Sequence, residues 1–143
     1  MNTATTIARI LLGILFVLAG ASAFFMTPPP EPGLAGAFND VFYRSHWLYF
    51  VAVAQLTLGT LLLVNRFVPV ALIMLAAFLY NSFAFHLTMA QSSLPAPVLV
   101  FALWAVVSLK YRTLFAPLFA AKPQLTDPVQ GWEGRLTHTN ATT

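Results

Sequence analysis

Four polar side chains interrupt otherwise apolar stretches of this chain: Gln55, Asn81, Ser82 and His86. Their carboxamides, hydroxyl and imidazole both donate and accept hydrogen bonds, which suits them to holding a carbonyl oxygen in an apolar setting. His86 stands one helical turn beyond Ser82, so the Ser82 hydroxyl is placed to hold one ring nitrogen, and Tyr80 adds a further polar tip. Trp47, Phe85 and Trp104 are the candidate apolar walls of such a pocket. Other chemistries are excluded. Cysteine is absent, which removes thiol nucleophiles, disulfides, iron–sulfur centres and Cys-ligated zinc. No HxxxH or HExxH spacing occurs, and His138 is stranded near the end, so no metal ligands are assigned. A bis-histidine haem would require His46 opposite His86, a poor pairing. No residue is assigned a catalytic role, and no nucleotide fingerprint is present.

The elements that position these groups follow from composition. Of 143 residues, 59% are hydrophobic and 8% charged, against roughly 25% charged in a soluble domain, and the mean hydropathy is +0.78. A soluble enzyme is excluded; the chain reads as an integral membrane protein. The net charge of +3 is scattered over apolar segments without a stripe, which speaks against nucleic acid and for topology determinants.

Charges delimit the crossings. Ile10 to Met26 is uncharged after Arg9, and Arg44 and Arg66 bracket a second uncharged stretch. Phe67 to Leu109 is also free of charge, about twice the ~20 residues one crossing needs. Ser92, Ser93, Pro95 and Pro97 divide it, proline suiting the first turn of the next helix. The reading is an all-α, antiparallel four-helix transmembrane bundle within residues 1–122, with helices near 7–26, 46–64, 68–89 and 96–113. In the last of these, Lys110 and Arg112 must snorkel. Arg9 with Ala21-Ser22-Ala23 mimics a secretory signal, but hydrophobicity continues through Phe24, Phe25 and Met26, so the first helix is expected to be retained.

Arg9, Arg66, Lys110, Arg112, Lys122 and Arg135 fall on one side of this arrangement and only Arg44 on the other, placing both termini in the cytoplasm. The outer loop, 27–45, opens with the stiff Pro28-Pro29-Pro30-Glu31-Pro32. Leu34, Ala37, Phe38, Val41 and Phe42 then recur at helical spacing, predicting a short interfacial helix that caps the outer end. His46, Trp47 and Tyr49 belong to the aromatic interface layer. Leu114 to Ala121 suits an amphipathic stretch on the inner surface. Residues 123–143 are expected to form a disordered cytoplasmic tail, in which Asn140-Ala141-Thr142 is a chance match to a glycosylation acceptor.

In lipid, apolar helices need small residues and hydrogen bonds to associate. Arg9, Gly13, Gly20 and Ala23 share one face of the first span, and Ala52, Gln55 and Gly59 one face of the second. Gln55 and Asn81 each lie about eight residues from the outer ends of their spans, ~12 Å deep at ~1.5 Å per residue. There an unpaired amide is costly, so the two are expected to pair or to flank a polar cavity. The same set can equally be interhelical hydrogen bonding with no ligand.

Ala8-Arg9-Ile10-Leu11-Leu12-Gly13, the later Gly20, the Pro-rich loop, Gly59 ahead of Leu61-Leu62-Leu63-Val64-Asn65-Arg66-Phe67-Val68-Pro69, and Asn81 ahead of Phe85-His86-Leu87 together give a pattern. It resembles the DoxX family of small four-helix membrane proteins of bacteria, over about residues 7–120. The resemblance implies the bacterial cytoplasmic (inner) membrane and, by analogy, association with quinone-linked redox or oxidative-stress systems, some relatives being subunits of thiosulfate:quinone oxidoreductases. Two departures stand out. Gln55 replaces a carboxylate often found in the second span, and the cysteines that thiol-linked members would use are missing. The resulting expectation is a non-catalytic subunit or binder, with quinone as candidate ligand and the bilayer, a redox-partner protein and a second copy as candidate partners. A scaffold or assembly factor without a site, and a small transporter, are the alternatives; four helices enclose little volume for transport.

Overall fold

The computed structural model describes residues 3–27 and 30–119, which are helical apart from short connections and contain no strand. The long helices are α1 (Thr3–Phe25), α3 (Trp47–Leu63), α4 (Val68–Thr88) and α5 (Pro95–Lys110), with shorter helices at α2 (Gly33–Arg44) and α6 (Arg112–Phe115). A 3-10 turn at Gln91–Ser93 joins α4 to α5, and a second, Ala116–Phe119, follows α6. Pro69 and Pro95 stand in the first turns of α4 and α5, where a missing N–H costs no intrahelical bond.

Two helices, α1 and α4, are long and apolar enough to cross a bilayer on their own. With 17 and 16 residues, α3 and α5 are shorter than the ~20 residues of a full crossing. Each qualifies only together with a bent neighbour: α2 meets α3 at 85°, and the segment Arg112–Phe119 meets α5 at 82°. The last span expected near 96–113 therefore ends earlier, at Lys110. Tyr111 N–H turns back to the Ser108 carbonyl at 2.9 Å, and the chain leaves sideways where Lys110 and Arg112 bring charge. The chain is an integral membrane protein, with two to four spans among the described residues. Its surface agrees with this: Leu11, Leu18, Val53, Val70, Met74 and Leu109 are exposed on four different helices, which water would not tolerate as continuous apolar faces. The tail expected to be disordered, 123–143, lies outside the described residues.

α1 packs most extensively on α3 and also meets α5, while α4 packs on α5 and α3. They share one core, in which Leu12, Leu62, Leu72, Leu75 and Val107 are fully buried. Glycine sets the α1–α3 distance. A Cβ on Gly59 would lie 2.8 Å from the Gly13 carbonyl oxygen, and one on Gly20 would lie 2.7 Å from the Ala52 carbonyl oxygen. The two backbones thus touch along the small-residue faces read from the sequence.

Arg9 locks the end of this seam. It is buried, and its Nη1 donates to the Leu62 carbonyl and, at 3.3 Å, to the Leu63 carbonyl. These carbonyls belong to the last turn of α3, the negative end of the helix dipole, where the Leu62 carbonyl also accepts from Asn65 N–H at 3.3 Å. At the opposite end of the molecule, Phe24 of α1 stacks on Tyr49 of α3 at 5.3 Å. α1 and α3 are therefore antiparallel. α2 lies across that same end, against α3, with Phe38 in contact with Phe85 of α4 at 5.3 Å.

Candidate functional site

The interior is not filled throughout. Beyond the packed core, toward the end covered by α2, a cavity of about 130 Å³ opens between the four long helices. Phe16 and Ala19 of α1, Phe78 of α4 and Pro97 and Val100 of α5 wall it. Gln55, Ser82 and His86 line it from α3 and α4, each half-buried. Three of the four polar residues singled out from the sequence thus meet in one place. Residues 79, 82 and 86 of α4 recur at the three-to-four spacing that keeps one helix face inward.

The fourth does not join them. Asn81 is exposed on the opposite side of α4, and its Nδ2 donates to the Ala77 carbonyl one turn back, at 2.9 Å. The expected pairing of Gln55 with Asn81 is therefore replaced by separation: adjacent helical positions are rotated by about 100°, so Ser82 and Asn81 cannot face the same way. The expected aromatic walls differ as well. Trp47 is exposed, and Phe85 packs on Phe38 and on the His86 ring. Trp104 sits in the α4–α5 seam, where its Nε1 donates to the Leu72 carbonyl at 2.9 Å. Phe16, Phe78 and Pro97 form the walls instead.

The hydrogen-bond partner of His86 is also not the one anticipated. Its Nδ1 lies 2.9 Å from Ser93 Oγ and 3.5 Å from the Ala90 carbonyl, both in the α4–α5 connection. Ser93 Oγ itself donates to the Ala90 carbonyl at 2.9 Å. Nδ1 is thus held by the connection, as donor or acceptor according to the ring's tautomer, and Nε2 has no hydrogen-bond partner among the described residues. Gln55 has no hydrogen-bond partner among the described residues. The cavity therefore presents an amide that donates and accepts, a hydroxyl, and an imidazole fixed in orientation by the connection that follows α4.

A larger hollow, about 470 Å³, lies beside α2 and is lined by Glu31, Asn39, Asp40 and Arg44. Its charged groups are paired: Arg44 Nε meets Asp40 Oδ1 at 2.8 Å, and Asn39 Nδ2 donates to Glu31 Oε2 at 3.2 Å. Exposed pairs of this kind contribute little and leave nothing aimed at a ligand. The smaller pocket between the long helices is the better site. Among the described residues no group of three His, Cys, Asp or Glu side chains is placed to hold a metal ion.

The sequence placed Arg9 beside Gly13 and Gly20 on the packing face of the first span and counted it as a topology charge, but the α3 carbonyls it holds were not foreseen. Its place four residues before Gly13, on the face that packs against α3, was the available signal. Ser108 was missed entirely; its Oγ is buried without a partner among the described residues, as is Arg9 Nε.

An antiparallel helical membrane protein with a glycine seam near its start is the class these features define. The DoxX family model matches residues 4–89, from the start of α1 to the residue after α4 and more than half of the chain. The protein belongs to the DoxX family. The matched region contains Gln55, Ser82 and His86 and the Arg9 anchor, while α5 lies beyond it. No curated protein and no solved structure matches the chain.

Proposed function

We propose that this protein is a non-catalytic binder, or membrane subunit, that holds the ring of a quinone-type lipid in the cavity between α1, α3, α4 and α5. The observation that carries this reading is the match of size and lining. A cavity near 150 Å³ suffices for one benzene-sized ring, and the volume here is about 130 Å³. Drug-sized ligands occupy ≈ 300–1,000 Å³, so the pocket takes little more than the ring itself, and the ring substituents and an isoprenoid-like tail must run out through its open side among the lipids. Gln55, Ser82 and His86 supply hydrogen bonds to ring oxygens inside an otherwise apolar wall. The residues below the cavity, Leu12, Leu62, Leu72 and Leu75, are fully buried. A pocket closed at one end favours binding over a transport path.

The same proposal includes the topology. α3 and α5 share the core with α1 and α4, which supports four crossings in an antiparallel bundle, with α2 and α6 lying in the two interfaces. Arg66, Lys110 and Arg112 join Arg9 at one end of the bundle, which supports cytoplasmic termini in a bacterial inner membrane. The absence of cysteine and of a metal-ligand cluster in the sequence leaves any electron transfer to a partner protein.

Gentle purification from native membranes, with mass spectrometry of the extracted lipids, tests the binding role. A quinone present near one per chain, and reduced at least tenfold by His86→Ala and by Gln55→Leu, is the expected result. A protein partner retained in both variants, with no quinone in the parent protein, would replace the binder with a scaffold.

A further inference from the structure

Asn81 faces away from the cavity, and its surroundings raise a separate question. It lies seven residues before the end of α4, about 10 Å along the helix at ~1.5 Å per residue, inside a hydrocarbon layer ≈ 30 Å thick. Its short side chain cannot reach water from that depth. One of its N–H groups is used by the Ala77 carbonyl; the other N–H and the amide oxygen are unpaired among the described residues. Thr57 and Thr88, also exposed on apolar helices, return their only protons to carbonyls one turn back, Val53 at 2.8 Å and Ala84 at 2.7 Å. Asn81 has no such complete local solution, and an exposed amide in lipid is costly.

The residues in line with it form a regular row. Val70, Met74, Ala77, Asn81, Ala84 and Thr88 alternate at four and three residues along α4, and all six are exposed. That is the heptad spacing of a helix–helix seam. Its side chains are smallest on either side of Asn81, where close approach brings an amide within reach of a partner.

We propose that this row is the interface of a symmetric dimer, in which α4 of one copy packs parallel to α4 of a second copy and the two Asn81 amides hydrogen-bond to each other. Two copies inserted with the same topology are related by a two-fold axis along the membrane normal, which makes their α4 helices parallel and in register. On that axis a residue meets itself. A carboxamide is self-complementary, donating and accepting at once, so the second copy satisfies what lipid cannot. An asparagine at one core position of a parallel helix pair fixes register in the same way. The proposal needs α4 to span the bilayer and is independent of any ligand in the cavity.

The absence of cysteine gives a clean test by oxidative cross-linking in native membranes and two-colour or photobleaching counts in dilute liposomes. Ala77→Cys and Ala84→Cys are expected to give covalent dimers, whereas Leu18→Cys and Ala102→Cys, exposed on α1 and α5, give none. Asn81→Leu, an outward change that spares the core, is expected to weaken association by roughly 3- to 30-fold, the range of one interhelical hydrogen bond. Asn81→Gln, which keeps the amide, retains most of it. Equal cross-linking at all four positions, single copies in liposomes, or linkage of Ala84→Cys to a different protein would each overturn the dimer.

Discussion

Substitution of Gly59 by alanine tests the load carried by the α1–α3 seam. The added Cβ would stand 2.8 Å from the Gly13 carbonyl oxygen and 2.9 Å from both Val17 N and Val17 Cγ2, where ordinary contact begins at 3.4 Å. Two of these three neighbours are backbone atoms, so no rotamer change relieves the clash and α1 must retreat by roughly half an ångström. Overpacking of this kind costs about 1–3 kcal/mol. For a chain of this size that corresponds to a Tm lowered by roughly 3–15 °C, extrapolating from soluble domains. The displacement also pulls Arg9 from the Leu62 and Leu63 carbonyls, so the loss should fall toward the upper part of that range. Gly13→Ala opposes the same contact from the other helix, and once the helices have separated the second substitution costs less than the first. The double variant should therefore lose clearly less stability than the two single losses combined. Thermal unfolding in detergent, followed by tryptophan fluorescence, measures all three variants, with the exposed Ala54→Leu as control. A Gly59→Ala protein as stable as the parent, or strict additivity with Gly13→Ala, would refute the close-contact seam.

Further consequences follow from single residues. Arg9→Met removes the cation from the end of α3 and leaves the buried Leu62 carbonyl and the part-buried Leu63 carbonyl without it; a loss of about 2–4 kcal/mol is expected from broken charge-assisted bonds, with Arg9→Lys retaining part of it, both read by the same unfolding assay. Phe67, largely exposed, holds a left-handed backbone with φ 54°, a conformation that costs a non-glycine residue roughly 1–2 kcal/mol. Phe67→Gly should therefore leave stability unchanged or raise it by up to about 1 kcal/mol, and a clear loss of Tm would refute the strain. Cysteines introduced by Thr3→Cys and Ser93→Cys should react with a membrane-impermeant reagent from opposite sides of the membrane; labelling of both from one side would reject the proposed topology.

Much of this architecture is legible in the sequence alone. The uncharged runs, the prolines at 95 and 97, and the helical spacing of Leu34, Phe38 and Phe42 mark helices because they reflect local rules: desolvation of the backbone, φ restriction and periodicity. The small-residue faces around Gly13, Gly20 and Gly59 were legible for the same reason, since only close backbone contact rewards glycine inside a helix that it otherwise weakens. Which way the remaining residues face was not. In a soluble helix the apolar stripe points inward, but lipid is as apolar as the core, so the spans here are hydrophobic all round and carry no such arrow. Gln55, Asn81, Ser82 and His86 therefore read alike in the sequence. Only the rotation of α4, set by burial of Leu72, Leu75 and Leu79 against its neighbours, turns Ser82 and His86 into the cavity and Asn81 out toward the bilayer. The role of Arg9 was hidden similarly: its charge was visible, but the carbonyls it holds belong to a helix more than fifty residues away, and a contact across that separation exists only once the helices have packed.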